Sequence, residues 1–152
     1  MSGKFRNGFT LIELLVLMAV LGVVAAIAVP NFTRLIQSNQ LTTTNNDLVG
    51  ALNVARAEAV RIGAPVSLVP NPTFTQGYQI TTDAGAVVSE YQGASGQFVI
   101  ALSSGGNPRF RATGLLVGGG SEFTVCRASG EEGTEIKVTA GGQIRSARIT
   151  CP

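Results

Sequence analysis

The chain has 152 residues, of which 45% are hydrophobic and only 13% charged. That is enough apolar material for one folded domain with an appendage, and too little charge for a disordered chain. Of the eleven bases, Lys4 and Arg6 precede the first apolar run, which leaves nine bases against nine acids from Phe9 onward, so the body has no global pull toward nucleic acid. With no histidine and two cysteines, a histidine acid–base pair, a histidine metal site and a four-thiolate metal site are all excluded.

Met1–Gly8 is polar and basic, and is followed by FTLIELLVLMAVLGVVAAIAVPNF. From Leu14 to Thr33 there is no charge, and a helix of about 20 such residues spans the hydrocarbon core of a bilayer. The bases in front imply a cytoplasmic N-terminus with the rest of the chain outside. Three processing schemes compete. One is a signal peptide cut after Ala26-Ile27-Ala28, another is a plain membrane anchor, and the third is cleavage between Gly8 and Phe9 that keeps the apolar segment. Glu13 favours the third. A carboxylate in an apolar span is costly unless neutralised or paired, and cleavage would give Phe9 an amino group able to pair with Glu13 of a neighbouring subunit.

The stretch K-x-R-x-G-F-T-L-I-E-L-L resembles the class III signal of type IV pilins and pseudopilins. The resemblance implies that a prepilin peptidase/methyltransferase cuts after Gly8 and N-methylates Phe9, and that Glu13 guides docking into a filament. Pro30 lacks a backbone donor and marks a kink or a place to unwind.

The next segment, NFTRLIQSNQLTTTNNDLVGALNVARAEAVRI, is more polar. Leu41, Leu48, Leu52, Ala55, Ala59 and Ile62 recur at helical spacing and predict one buried face. Arg56, Glu58 and Arg61 fall off it, and Glu58 and Arg61 form a weak i,i+3 pair. Thr42–Asn46 has poor helix propensity, so the helix frays there or is held by packing alone. Gly63 and Pro65 stop it. The expectation is one helix of roughly 50 residues.

After Pro65, short β-type runs alternate with turn signals. The predicted strands are Val66–Val69, Tyr78–Thr82, Val87–Tyr91, Phe98–Leu102, Phe110–Ala112, Phe123–Arg127, Glu135–Thr139 and Ile144–Ile149. Their spacing suits an antiparallel sheet or sandwich. The expected fold class is α+β, a long N-terminal helix packed on a β-rich head. The expected divisions are a leader (1–8), a membrane or filament-core helix (9–30), an amphipathic continuation (31–63) and the head (64–152). If the head is exported, Cys126 and Cys151 are expected to pair. Closing that loop is worth about 3–4 kcal/mol by chain entropy.

L-x-x-A-L-x-x-A-R-x-E-A-V-R-x-G-x-x-V, from Leu48 to Val66, is similar to the GspH/FimT family of minor pilins and pseudopilins, as is F-T-V-C-R…E-I-K-V-T-A-G-G-Q-I-R near the end. The Cys126–Cys151 pair resembles minor pilins of the FimU and FimT kind more than secretion pseudopilins. The resemblance implies a type IV pilus minor pilin that primes assembly or forms the tip. A type II secretion pseudopilin is the alternative. Implied partners are other pilins, the processing peptidase and the inner membrane. The head would lie in the periplasm first, then in a pilus or pseudopilus.

No catalytic set, cofactor site or metal site is expected. Gly118-Gly119-Gly120 lacks the Lys-Ser/Thr of a phosphate loop and reads as a turn. Glu131, Glu132 and Glu135 read as a solvated acidic loop. Lys137, Arg145 and Arg148 crowd the last strand region, with Arg109 and Arg111 elsewhere. Some family members bind DNA through a C-terminal G-R-x-R motif. The matching stretch here is Gly142-Gln143-Ile144-Arg145, with glutamine in place of the first arginine. DNA uptake through Arg145, Arg148 and Lys137 is thus a third expectation, set against a strand whose arginines are merely solvated.

Overall fold

The computed structural model describes residues 9–152. Helix α1 runs from Leu11 to Ile62 without a break, through Pro30 and through the Thr-Thr-Thr-Asn-Asn stretch alike. Two compact units divide within it, one ending at Gln37 and the other comprising Ser38–Pro152.

In the first unit the helix is apolar all round, with every residue from Leu11 to Ile27 exposed. A helix of that composition needs a non-aqueous environment or a protein partner. Around Pro30, Asn31 Nδ2 donates to Ile27 O (3.0 Å) and Thr33 Oγ1 donates to Val29 O (3.1 Å). These side chains add bonds to carbonyls beside the turn where proline supplies no donor.

The second unit holds every fully buried side chain among the described residues. Strands β1 (Val66–Pro70), β2 (Gly77–Thr82), β3 (Val87–Gln92) and β5 (Arg109–Phe110) form one sheet in the order β3-β2-β1-β5. Strands β4 (Val99–Ser104), β6 (Ser121–Cys126), β7 (Glu132–Val138) and β8 (Ile144–Thr150) form the other, in the order β4-β6-β7-β8. All pairings are antiparallel. Consecutive strands joined by turns make this the low-entropy solution. Each predicted run overlaps an observed strand, with boundaries moved by up to three residues, and Phe110–Ala112 shares only Phe110 with β5.

Alternation decides what is buried. Val66, Leu68, Tyr78 and Ile80 point inward from the first sheet, and Ile100, Phe123, Val125, Ile136 and Val138 from the second. Leu48, Ala51, Leu52, Ala55 and Ala59 of α1 complete the same core. Phe74, on the turn between β1 and β2, joins the two sheets. Its ring meets Phe123 edge-on at 5.0 Å between centroids and lies 6.2 Å from Tyr78. The same turn supplies Thr75, whose hydroxyl donates to Ile100 O (3.1 Å) and accepts from Ile100 N (3.0 Å), fixing β4 beside it.

The helical stripe holds from Leu48 to Ala59 but not at its end, since Ile62 is 36% exposed. Thr44 is buried instead, within the stretch of poor propensity. Its hydroxyl accepts from Ser95 N (3.1 Å), so packing and one cross-chain bond hold the helix there.

Candidate functional site

Two groups of residues stand out, one at each end of the chain. At the N-terminal end, Thr10 and Glu13 cap α1 reciprocally. Thr10 Oγ1 accepts from Glu13 N (3.3 Å), while Glu13 Oε2 accepts from Thr10 N (3.1 Å) and from Thr10 Oγ1 (3.0 Å). This capping box satisfies donors at the helix start that have no partner within the helix. It also keeps the carboxylate beside Phe9. Phe9, Ile12, Glu13, Val16 and Leu17 share one face at i, i+3, i+4 and i+7 spacing, with Phe9 77% exposed. No base forms an ion pair with Glu13 among the described residues. The one charged group of this apolar face is therefore matched by dipoles but not by an opposite charge. Gly8, and with it the cleavage point, lies outside the described residues.

At the other end, the disulfide expected from the sequence is present. Cys126 at the end of β6 is joined to Cys151 after β8, with Cα atoms 5.9 Å apart. The bridge crosses over Gly133 on β7. A Cβ on Gly133 would lie 2.4 Å from Cys151 Sγ, 2.9 Å from Cys126 Sγ and 2.7 Å from Val125 O. Glycine is thus required there by close approach. Backbone bonds Cys151 N to Glu131 O (2.8 Å) and Gly130 N to Cys151 O (2.9 Å) tie the C-terminus further to the β6–β7 connection.

The bases singled out in the sequence are not gathered into one patch. Within β8, Arg145 faces the same side of the sheet as its partner Lys137, whereas Arg148 sits opposite Thr134, on the side where Thr134, Ile136 and Val138 are buried. Residues three apart in a strand cannot share a face, a signal already present in the spacing. Arg148 Nη1 pairs with Glu132 (2.7 Å). Lys137 Nζ lies 3.3 Å from both Glu122 and Glu135, whose hydrogen bonds raise its pKa, Glu135 most. Arg145 bonds only to the Gln143 side chain (3.1 Å). Arg109 is paired with Asp83. The acidic residues read as a solvated loop are placed differently. Glu132 and Glu135 belong to β7 and, like Glu131 with Arg127, face cationic partners. Cross-strand neighbours that are distant in sequence create these pairs.

Arg56 is a structural residue that the helical stripe does not announce. Its Nε donates to Gly114 O (3.0 Å). Gly142, at φ +74°, packs on the same point, since a Cβ there would be 2.1 Å from Gly114 O and 3.1 Å from Arg56 Nε. One side chain of α1 thus pins two turns of the head. Among the described residues no cluster of acidic residues and cysteines has the geometry to hold a metal ion.

Comparison with known proteins follows these two ends. Residues 3–29 match the prokaryotic N-terminal methylation motif, and residues 44–142 match the family model of the type II transport protein GspH. A fimbrial protein of Pseudomonas aeruginosa is 36% identical over 73 residues, 48% of this chain and 47% of its own. The type IV major alpha-pilin of Moraxella bovis is 30% identical over 77 residues, 51% of this chain and 48% of its own. The chain therefore spans about half the length of the curated relatives it matches. A crystal structure of the type IV minor pilin FimU of Pseudomonas aeruginosa superposes with a TM-score of 0.66 at 21% identity, covering 73% of this chain and 90% of that one. A second crystal form gives 0.62 at 22% identity, covering 70% and 92%. At that identity the likeness establishes the fold. Since the family match takes in well over half of the residues, the chain belongs to the GspH family, a type IV pilin-like protein with an N-terminal methylation motif.

Proposed function

We infer that this chain is a minor pilin of a type IV pilus, a structural subunit and not an enzyme, anchored in the inner membrane until it is processed between Gly8 and Phe9 and assembled. The observation that carries this reading is the carboxylate of Glu13, without a cationic partner among the described residues, in an otherwise uncharged apolar run exposed from Leu11 to Ile27. Such a helix is stable in lipid or against other apolar helices. A carboxylate at that depth favours a partner bearing a cation. The methylated amino group of a neighbouring subunit's residue 9 supplies one, so the charge pair forms only on assembly. The FimU-like head and its C-terminal disulfide support the pilus.

Type II secretion is the second reading, favoured by the family description itself. Deleting the gene in its own host separates the two. Loss of surface pili with secretion intact supports the pilus, and loss of secreted enzymes with pili intact overturns it. Restoring the deletion strain with Glu13→Ala should return a folded, membrane-inserted protein but less than about a tenth of the assembled filaments. Normal assembly by this variant would refute the pairing argument in either system.

A further inference from the structure

The two sheets have four edges, β3, β5, β4 and β8. Three are blunted. The register slips between Ile80 and Thr81 along β2–β3 and between Leu102 and Ser104 along β4–β6, and β5 has only two residues. Bulges and short length are the usual ways to keep an edge from pairing with another chain. The last edge, β8, has neither. It pairs with β7 over seven consecutive residues with no slip, and contains no proline or glycine.

We propose that the free edge of β8 takes up an extended, acid-bearing segment of a different protein chain, which adds a strand to the β4-β6-β7-β8 sheet. Charge selects the occupant. β8 carries Arg145 and Arg148 and no acid. A strand laid beside it meets Arg145 on the outer face of the sheet and Arg148 on the inner face, while the balancing Glu132 and Glu135 stand one strand further back, on β7. Directly opposed side chains dominate cross-strand energies. Among the described residues Arg145 has no carboxylate partner, and Arg148 is 79% exposed despite its pair with Glu132. A second copy of β8 would lay one basic strand with no acid beside another and is disfavoured for that reason. On the inner side of the edge, a cleft of about 190 Å³ lies between α1 and the β7–β8 pair, lined by Leu41, Thr42, Asn45, Glu132, Ser146 and Arg148 among others. An added strand would place alternate side chains in this cleft, where a hydroxyl suits the lining of Thr42, Ser146 and Glu132 and a second carboxylate does not. The recognised segment thus alternates hydroxyl-bearing and acidic residues, with backbone hydrogen bonds giving affinity and pockets giving selectivity.

The inference rests on the reading that the head associates with other chains, but not on how Glu13 docks. Its test uses the whole chain in detergent micelles, with capped peptides as long as β8 that alternate threonine with glutamate, or threonine with lysine. Saturating glutamate peptide should slow amide hydrogen exchange across Ile144–Thr150 about tenfold, leaving β3 unchanged. The lysine peptide should have no effect. Arg145→Glu, at an exposed position, should weaken the glutamate peptide about tenfold and admit the lysine peptide. The proposal is overturned if neither peptide changes exchange in β8, or if Arg145→Glu leaves the preference as it was. Protection by duplex DNA but not by peptide would overturn it in favour of a nucleic-acid surface. A failed peptide titration leaves Glu13-dependent assembly standing, and failed assembly leaves the titration interpretable.

Discussion

Gly133→Ala tests how the disulfide sits in the sheet. The added methyl would stand 2.4 Å and 2.9 Å from the two sulfurs and 2.7 Å from Val125 O. None of these can move freely, because the sulfurs are bonded to each other and Val125 lies in β6, inside the sheet. Overpacking a closed site costs about 1–3 kcal/mol, and with three rigid contacts the upper end applies, about 3 kcal/mol. Replacing both cysteines by alanine removes two of the contacts. By itself that double change should cost about 3.5 kcal/mol, since the bridge spans 25 residues. In the cysteine-free background, Gly133→Ala should then cost only about 1 kcal/mol, the remaining clash with Val125 O. The assay is equilibrium urea unfolding of Ser38–Pro152, the unit that contains the core, for all four combinations under non-reducing conditions. The double-mutant cycle should give a coupling of about 2 kcal/mol. Equal costs of Gly133→Ala in both backgrounds would refute the reasoning, and so would a cost below about 0.5 kcal/mol in the oxidised protein.

Thr44→Val keeps the volume but leaves Ser95 N–H without its acceptor. It should lower stability by about 1–3 kcal/mol, with the change read from the urea midpoint, and helix content measured by circular dichroism should fall only if packing there is lost. Tyr78 is 1% exposed, and burial first, then Asp47 and Tyr91, raise its pKa above the ordinary value of 10.0. The folded state therefore holds the phenol proton more tightly than the unfolded chain. Its contribution is fully present below about pH 10 and is lost as pH rises beyond it. Tyr78→Phe should flatten the alkaline end of a stability-against-pH curve, and an unchanged slope would refute the assignment.

Much of this protein follows from local patterns. Leu48, Leu52, Ala55 and Ala59 lie on one face because the helical period puts them there, and Val66 with Leu68, or Phe123 with Val125, are buried because strands alternate. Glu13 is conspicuous for its place in an uncharged run, and the cysteine pairing follows from there being only two. The sequence by itself therefore determined the long helix, the eight strands, the bridge and the methylation motif. Propensity failed at Thr44 because a contact with Ser95, 51 positions away, outweighs it. The helical stripe did not carry through to Ile62, because how far the head covers the helix is not written in the helix. Only the tertiary structure decided how eight strands divide into two sheets, that Glu132 and Glu135 face Arg148 and Lys137, and that β8 alone ends a sheet unblunted. These depend on which distant segments become neighbours. The cause is the collective burial of one core by α1 and both sheets, which no single segment's composition encodes.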